Sequence, residues 1–321
     1  MKAAVVERLD GPGAFQLREV PDPRPGDGDV LIEVRAAGVV FPDVLKSLGK
    51  YQDKPSLPYV GGHQVAGVVA SAPVDAAVRV GDRVVALTVN GAFAEQTVTD
   101  PGRVFPLPAR LSFEQGAAIP INYLTTHFAY RRARLQRGET VLVHGAAGGL
   151  GSVSVQFAQA MGARVIAVAS TPEKATFVEG LGADHVIGVE GFRESVGRLT
   201  GGSGVDVVVD PVGGDRFTDS LRSLAPLGRL VVLGFVGGEI PAVKVNRLLL
   251  NNIDLIGVAW GEFWMAHEGY QQQQWSEVHA LLESGRLEPV IGATFPLSDA
   301  GQAVAALADR KALGSVVVTV A

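Results

Sequence analysis

A β-branched run, TVLVHG at 140–145, passes directly into AAGGLG at 146–151 and then into a helical stretch, SVSVQFAQAMG. A strand that turns on glycines and opens a helix is the most restrictive pattern in the chain, because it is the local geometry a dinucleotide-binding turn requires. Against the pattern G-x-G-x-x-G, Ala146 stands in the first place while Gly148 and Gly151 fill the other two. A residue without a side chain at 148 lets backbone amides approach a pyrophosphate at a helix N-terminus, and Gly151 allows the helix to pack close on the strand. The competing reading is a tight turn in an α/β protein that binds no nucleotide.

The rest of the chain agrees with that seed. After it, apolar runs alternate with helical patterns: RVIAVAS, HVIGV, VDVVVD, RLVVLG and IDLIGVA, separated by helices near 172–181, 191–199 and 215–224. Continuous rather than alternating apolar strands indicate a parallel sheet buried on both faces, and with TVLVHG they make six strands in two triplets, a doubly wound fold. Before residue 110 the character differs. Short strands KAAVV at 2–6, VLIEVRAAGV at 30–39, QVAGVVAS at 64–71 and DRVVAL at 82–87 are punctuated by turn residues, which predicts a compact β-rich domain. PDPRPGDGDV at 21–30 reads as an ordered surface connection, and Ser112 is positioned to cap the helical stretch that follows it. The closing β-branched strand is expected to rejoin the first domain.

Composition narrows the function. The 321 residues suggest two domains, a net charge of −5 gives no basic footprint for nucleic acid or an anionic membrane, and zero Cys removes thiolate chemistry and Cys-ligated metals. The N-terminus carries no apolar signal segment and no run is long enough to span a membrane, so a cytoplasmic enzyme is the expectation. No G-x-S-x-G elbow supports hydrolase chemistry.

The second strand ends in IAVAS with no carboxylate to accept from a ribose 2′-hydroxyl. Ser170, Thr171 and Lys174 stand there instead, so a 2′-phosphate meets hydroxyls and a cation, which favours NADPH. The alternative is that Ser170 or Thr171 only caps the next helix and Lys174 lies in solvent. Glu173 is then expected as a capping-box partner of Ser170.

With PDPRPGDGDVLIEV at 21–34, GVVFPDVLKSLGKY at 38–51, VGGHQVAGVV at 60–69, VGDRVVAL at 80–87, AAIPINYLTTHFA at 117–129, VHGAAGGLGS at 143–152, LGADHVI at 181–187 and DRKALGSVVV at 309–318, the chain resembles the zinc-independent quinone oxidoreductase branch of the medium-chain dehydrogenase/reductase superfamily over its whole length. The resemblance implies an α/β protein with a GroES-like β-rich catalytic domain and a Rossmann doubly wound parallel-sheet domain. The expected division is 1–115 for the N-terminal part of the catalytic domain, 116–262 for the NADPH-binding domain, and 263–321 for a segment returning to the catalytic domain. It implies a pyrophosphate on the amides of Ala147, Gly148, Gly149, Leu150 and Gly151, and a carboxamide near Thr125. Arg310 joins Lys174 at the 2′-phosphate, and the 234–238 segment, with Gly234 and Phe235, lines the nicotinamide pocket. Val40 departs from the family's usual Asn, and Val189 from a Tyr used by some relatives. His63 corresponds to one zinc ligand of the zinc-dependent cousins, but Val40 and Ile121 cannot supply the other two, so no metal is expected. An interior, hydrogen-bonded His63 is the favoured reading, and Asp43 is read as tying the loop after VVF.

Hydride transfer to a quinone or conjugated enone needs positioning more than a dedicated acid, because the acceptor delocalises the incoming pair. Tyr51 and Tyr123, with Asn122 behind them, are the candidate donors to its oxygen; otherwise Tyr51 lines a cleft and Tyr123 packs in a helix. The function implied is an NADPH-dependent quinone oxidoreductase, the alternatives being an enoyl-thioester or alkenal reductase and a non-catalytic NADPH-binding sensor. The apolar strand at 253–259 is an edge strand that predicts a homodimer.

Overall fold

The computed structural model describes residues 1–320. The described residues divide into two units: 1–124 with 268–283 and 289–320, and 125–267 with 284–288.

The first unit is the β-rich one. Its larger sheet runs in the order Ile291–Pro296, Ser315–Thr319, Val30–Val39, Gln64–Ser71, Arg83–Leu87, Val104–Pro106, and Gln96–Thr99 also pairs with Val30–Val39. A three-stranded sheet adds Phe15–Glu19, Lys2–Val6 and Tyr59–Val60. The strand nearest the C-terminus runs antiparallel to Val30–Val39, with Val316 opposite Val39 and Thr319 opposite Ala36. Inward residues such as Ile32, Val34, Val65, Val84 and Val318 are fully or almost fully buried and form the core of this unit. Each such side chain contributes roughly 1.5–3 kcal/mol by leaving water. Ser112 caps the helix Phe113–Ala117 in a reciprocal box with Gln115, and 21–26 lies in no regular element, both as expected from the sequence.

The second unit is a six-stranded, all-parallel sheet. Its spatial order is His185–Gly188, Arg164–Ala169, Thr140–Val143, Val205–Asp210, Leu224–Val232, Asp254–Gly257. Numbered along the chain this is 3-2-1-4-5-6, the doubly wound order of dinucleotide-binding sheets. Leu142, Ile166, Val208 and Leu230 are buried at its centre, under Phe192, Phe217 and Leu221 from the flanking helices. One boundary differs from expectation. The helix after the fourth strand ends at Arg222, and the fifth strand starts at Leu224 instead of near Arg229. Between the pairs Val205–Leu224 and Val207–Arg229 the register slips, with Leu227 in the left-handed region at φ 64°, so the strand carries a bulge that reads in sequence as a turn.

Candidate active site

The crevice of a doubly wound sheet opens at the carboxyl ends of its strands where the order reverses. Here that point lies between Thr140–Val143 and Val205–Asp210. The first strand leaves through Gly145, whose φ of 59° is left-handed, and the amide of Gly148 closes the turn on the Gly145 carbonyl at 3.0 Å. The turn glycine is therefore Gly145 and not the Ala146 position, a one-residue correction: only the residue before the alanines has to adopt a conformation that a Cβ disfavours. Gly151 has the packing role expected of it, since a Cβ there would stand 2.1 Å from the Gly145 oxygen.

The helix Gly149–Ala160 begins behind Gly148, which has no side chain to cap it. The first amides of a helix have no intrahelical acceptor, so the opening turn is available to an anion. A Cβ placed on Gly148 would meet nothing nearer than the Gly145 oxygen at 3.5 Å. Open space over the amides, a flanking helix terminus and a close-packed Gly151 fit a dinucleotide pyrophosphate.

At the end of the second strand, Thr171, not Ser170, caps the helix Pro172–Gly180: its Oγ1 accepts from the Lys174 amide at 3.2 Å. This corrects the capping box expected between Ser170 and Glu173, and it leaves the Ser170 hydroxyl beside the Lys174 ammonium, 3.3 Å from Nζ. Glu173 is exposed in the first turn of that helix.

Gly234 and Phe235 lie in the loop after the fifth strand and are half-buried. That loop is sewn to the loop after the fourth strand: Val236 N donates to Pro211 O at 3.1 Å and Gly237 N to Val212 O at 2.9 Å. Thr125 is half-buried on the helix Pro120–Ala133. Two buried polar groups that sequence inspection did not assign to the site stand at these strand ends. Asp210 is fully buried and accepts from both Val212 N (2.8 Å) and Gly213 N (2.9 Å) through Oδ1; burial raises its carboxyl above the usual range. His144, also fully buried, faces Ser220 Oγ at 2.9 Å. Ser220 gives its proton to Arg216 O, so His144 donates from Nε2 and its Nδ1 keeps a lone pair. Burial, with the Arg216 charge adding to it, pushes this imidazole down to about 3.

In the first unit the candidate site residues are polar side chains, most of them buried or half-buried. Asp43 is 2% exposed; its Oδ2 accepts from Val40 N at 2.8 Å, tying that loop, and its Oδ1 lies 2.7 Å from His63 Nδ1. One helical turn on, the Lys46 ammonium is buried and held by Asp53 Oδ2 (2.7 Å), Asn90 Oδ1 (3.1 Å) and Val89 O (3.3 Å). It also stands 5.9 Å from the ring centre of Tyr51, which is half-buried. Burial, then the Asp43 and Asp53 charges, push the Tyr59 phenol up to about 12. Asn122 is half-buried and Tyr123 is 1% exposed, just after Ile121, whose amide donates to Gln64 Oε1 at 2.7 Å. Arg310 is exposed in the loop before the last strand, in the left-handed region at φ 57°. Lys46 was missed because a lysine in a helix reads as a solvated charge; its acceptors come from two separate segments, Asp53 from one and Val89 with Asn90 from the other.

Comparison with known proteins agrees with this geometry. Residues 26–109 match the alcohol dehydrogenase GroES-like domain family and residues 149–284 the zinc-binding dehydrogenase family. Quinone oxidoreductase-like protein 2 of Rattus norvegicus is 38% identical over 324 residues, spanning 99% of this chain and 92% of the relative. A mycobacterial protein solved in complex with NADPH superposes with a TM-score of 0.92 at 35% identity, covering 99% of each chain. The quinone oxidoreductase of Thermus thermophilus, solved alone and with NADPH, gives 0.87 at 36% identity, covering 99% of this chain and 100% of the other. Among the described residues no helix is long and apolar enough to cross a membrane.

Proposed function

We propose, from the premise that this chain belongs to the quinone oxidoreductase branch of the medium-chain dehydrogenase/reductase superfamily, that it is an NADPH-dependent quinone oxidoreductase. The observation that carries the nucleotide choice is the Lys174 ammonium on the Ser170 hydroxyl at a strand end with no carboxylate. A doubly charged 2′-phosphate gains a cation and hydroxyls there, and two of the solved relatives are NADPH complexes. When bound, NADPH supplies a hydride to an acceptor, a quinone or other conjugated carbonyl, that delocalises the incoming electron pair.

The chain's own residues bind and orient. The amides of Ala147 to Gly151 take the pyrophosphate, Ser170, Lys174 and Arg310 the 2′-phosphate, Thr125 the carboxamide, and Gly234 with Phe235 lines the nicotinamide pocket. Tyr51, Tyr123 and Asn122 are the donors to the acceptor's oxygen, with the half-buried Tyr51 leading, since its loop is fixed through Lys46 and Asp53. The donor set does not fit a catalytic zinc. His63 has Val40 and Ile121 where two more ligands would be needed, and among the described residues no three His, Asp or Glu side chains gather to hold a metal. A zinc-independent reaction is the reading this supports.

NADPH and NADH oxidation against quinones, enones and enoyl thioesters tests the proposal. Each lost contact between a cation and the phosphate should cost roughly 1.5–3 kcal/mol, about 10- to 100-fold in NADPH preference, in Lys174→Ala and Arg310→Ala. An unchanged preference in both variants refutes the phosphate assignment.

We also propose a homodimer. Asp254–Gly257 is an edge strand, and Leu255, Leu249, Leu250, Val245 and Ile240 of the same unit are 40 to 76% exposed, a costly apolar surface unless a second copy covers it. Light scattering at micromolar concentration should give twice the chain mass; a monomer rejects it.

A further inference from the structure

We infer that Asp210 is a positioning residue for the nucleotide, acting through backbone it braces. The inference rests on the NADPH reading above. Asp210 is the last residue of the fourth strand, at the reversal point of the sheet, and its side chain is fully buried. One carboxylate oxygen takes the amides of both Val212 and Gly213, which fixes the Pro211–Gly213 turn. That turn is in contact with two loops of the cofactor site. Towards the glycine turn, the side chains of Val212 and Pro211 lie 3.3 and 3.7 Å from where a Cβ on Gly145 would stand. Towards the 234–238 loop, the Pro211 and Val212 carbonyls accept from Val236 and Gly237, and Gly214 N donates to Glu239 O at 3.2 Å.

Among the described residues, the second carboxylate oxygen, Oδ2, is buried without a hydrogen-bond partner. Burying a half-satisfied carboxyl is costly. A polar group retained at that cost is explained by what its other oxygen does: it sets the spacing of two loops that bind adjoining parts of one ligand, its pyrophosphate and its nicotinamide. An error of about 1 Å in such a brace is enough to cost affinity.

The test titrates the full-length protein with NADPH by calorimetry and measures its melting temperature without nucleotide. Asp210→Ala should weaken NADPH binding tenfold or more. Asp210→Asn, whose amide oxygen still accepts from both amides, should stay within threefold of the parent. Val208→Ala, a cavity in the same strand, should lower the melting temperature yet hold NADPH affinity within twofold. Folded Asp210→Ala with affinity within threefold of the parent overturns the inference, as does an equal loss in Val208→Ala. Should Asp210→Ala not fold, Gly237→Ala decides, because its Cβ would press on the Val212 oxygen at 2.7 Å; a tenfold loss supports the brace and an unchanged affinity overturns it. A parent chain that gives no binding signal with NADPH overturns the nucleotide reading and this inference together, whereas parent binding with unaffected variants removes only the latter.

Discussion

At its candidate site the nucleotide-binding unit presents backbone amides beside buried groups whose charged forms burial disfavours, and its buried ion pair, Arg229 with Glu139 at 2.8 Å, stands just before the first strand, whereas the GroES-like unit buries a paired charge among its candidate site side chains. His144 is driven neutral and Asp210 is pushed toward its protonated form, beside a helix end that no side chain caps. In the other unit Lys46 is buried with its ammonium matched to a carboxylate, an amide oxygen and a carbonyl. A site made of amides depends on what is absent, namely side chains at glycine. A site made of charges depends on partners that converge from separate segments.

The largest effect should come from adding the missing atom. Gly151→Ala drives a Cβ into the Gly145 carbonyl, and overpacking against backbone costs about 3 kcal/mol or more. NADPH affinity should fall about 100-fold, as read by titration; retention of tight binding would break the contrast drawn here. Next, Lys46→Met removes a cation with three acceptors. The cost is about 1.5–3 kcal/mol, the range of a hydrogen bond to a charged group, because Asp53 is half-exposed and can be rehydrated. Quinone turnover should drop and the melting temperature fall by several degrees while NADPH binding holds. Loss of NADPH affinity instead would show that the two units do not divide the work in this way.

The smallest effect is a pH dependence. An unfolded histidine takes up a proton near pH 6.5, but folded His144 does so only near 3. Its neutral burial costs nothing above about pH 6.5, and stability is lost as the pH falls toward 3, about 1.4 kcal/mol per unit. Between pH 6.5 and 5 this amounts to ~2 kcal/mol, seen as a falling urea midpoint. His144→Gln, which can still donate to Ser220, should lose about that much less over the same range, and parallel curves would reject the neutral assignment.

Much of the nucleotide-binding unit was legible because its determinants are local. A run such as TVLV or VDVVVD announces a strand buried on both faces, and the glycines after 144 announce the turn within one residue. The Gly145 correction shows the limit: pattern matching places the glycines, but which one is left-handed depends on where the carbonyls point. The bulge at Ala225–Gly228 was hidden for a similar reason, since proline and glycine there read as a chain break. Tyr51 could be named as a candidate from its chemistry, yet nothing near it in the sequence announces Lys46, Asp53 and Asn90 as its setting.

What the sequence determined by itself was periodicity and steric permission: which segments are strands, where the backbone must go bare, and that no carboxylate awaits a ribose at Ser170. What only the tertiary structure decided was electrostatic pairing across distance. His63 meets Asp43 from 20 residues away and Lys46 meets Asn90 from 44, while Asp210 acquires its role from the loops it braces. Burial fixes whether such a group is neutral, paired or strained, and burial is a property of the packed chain.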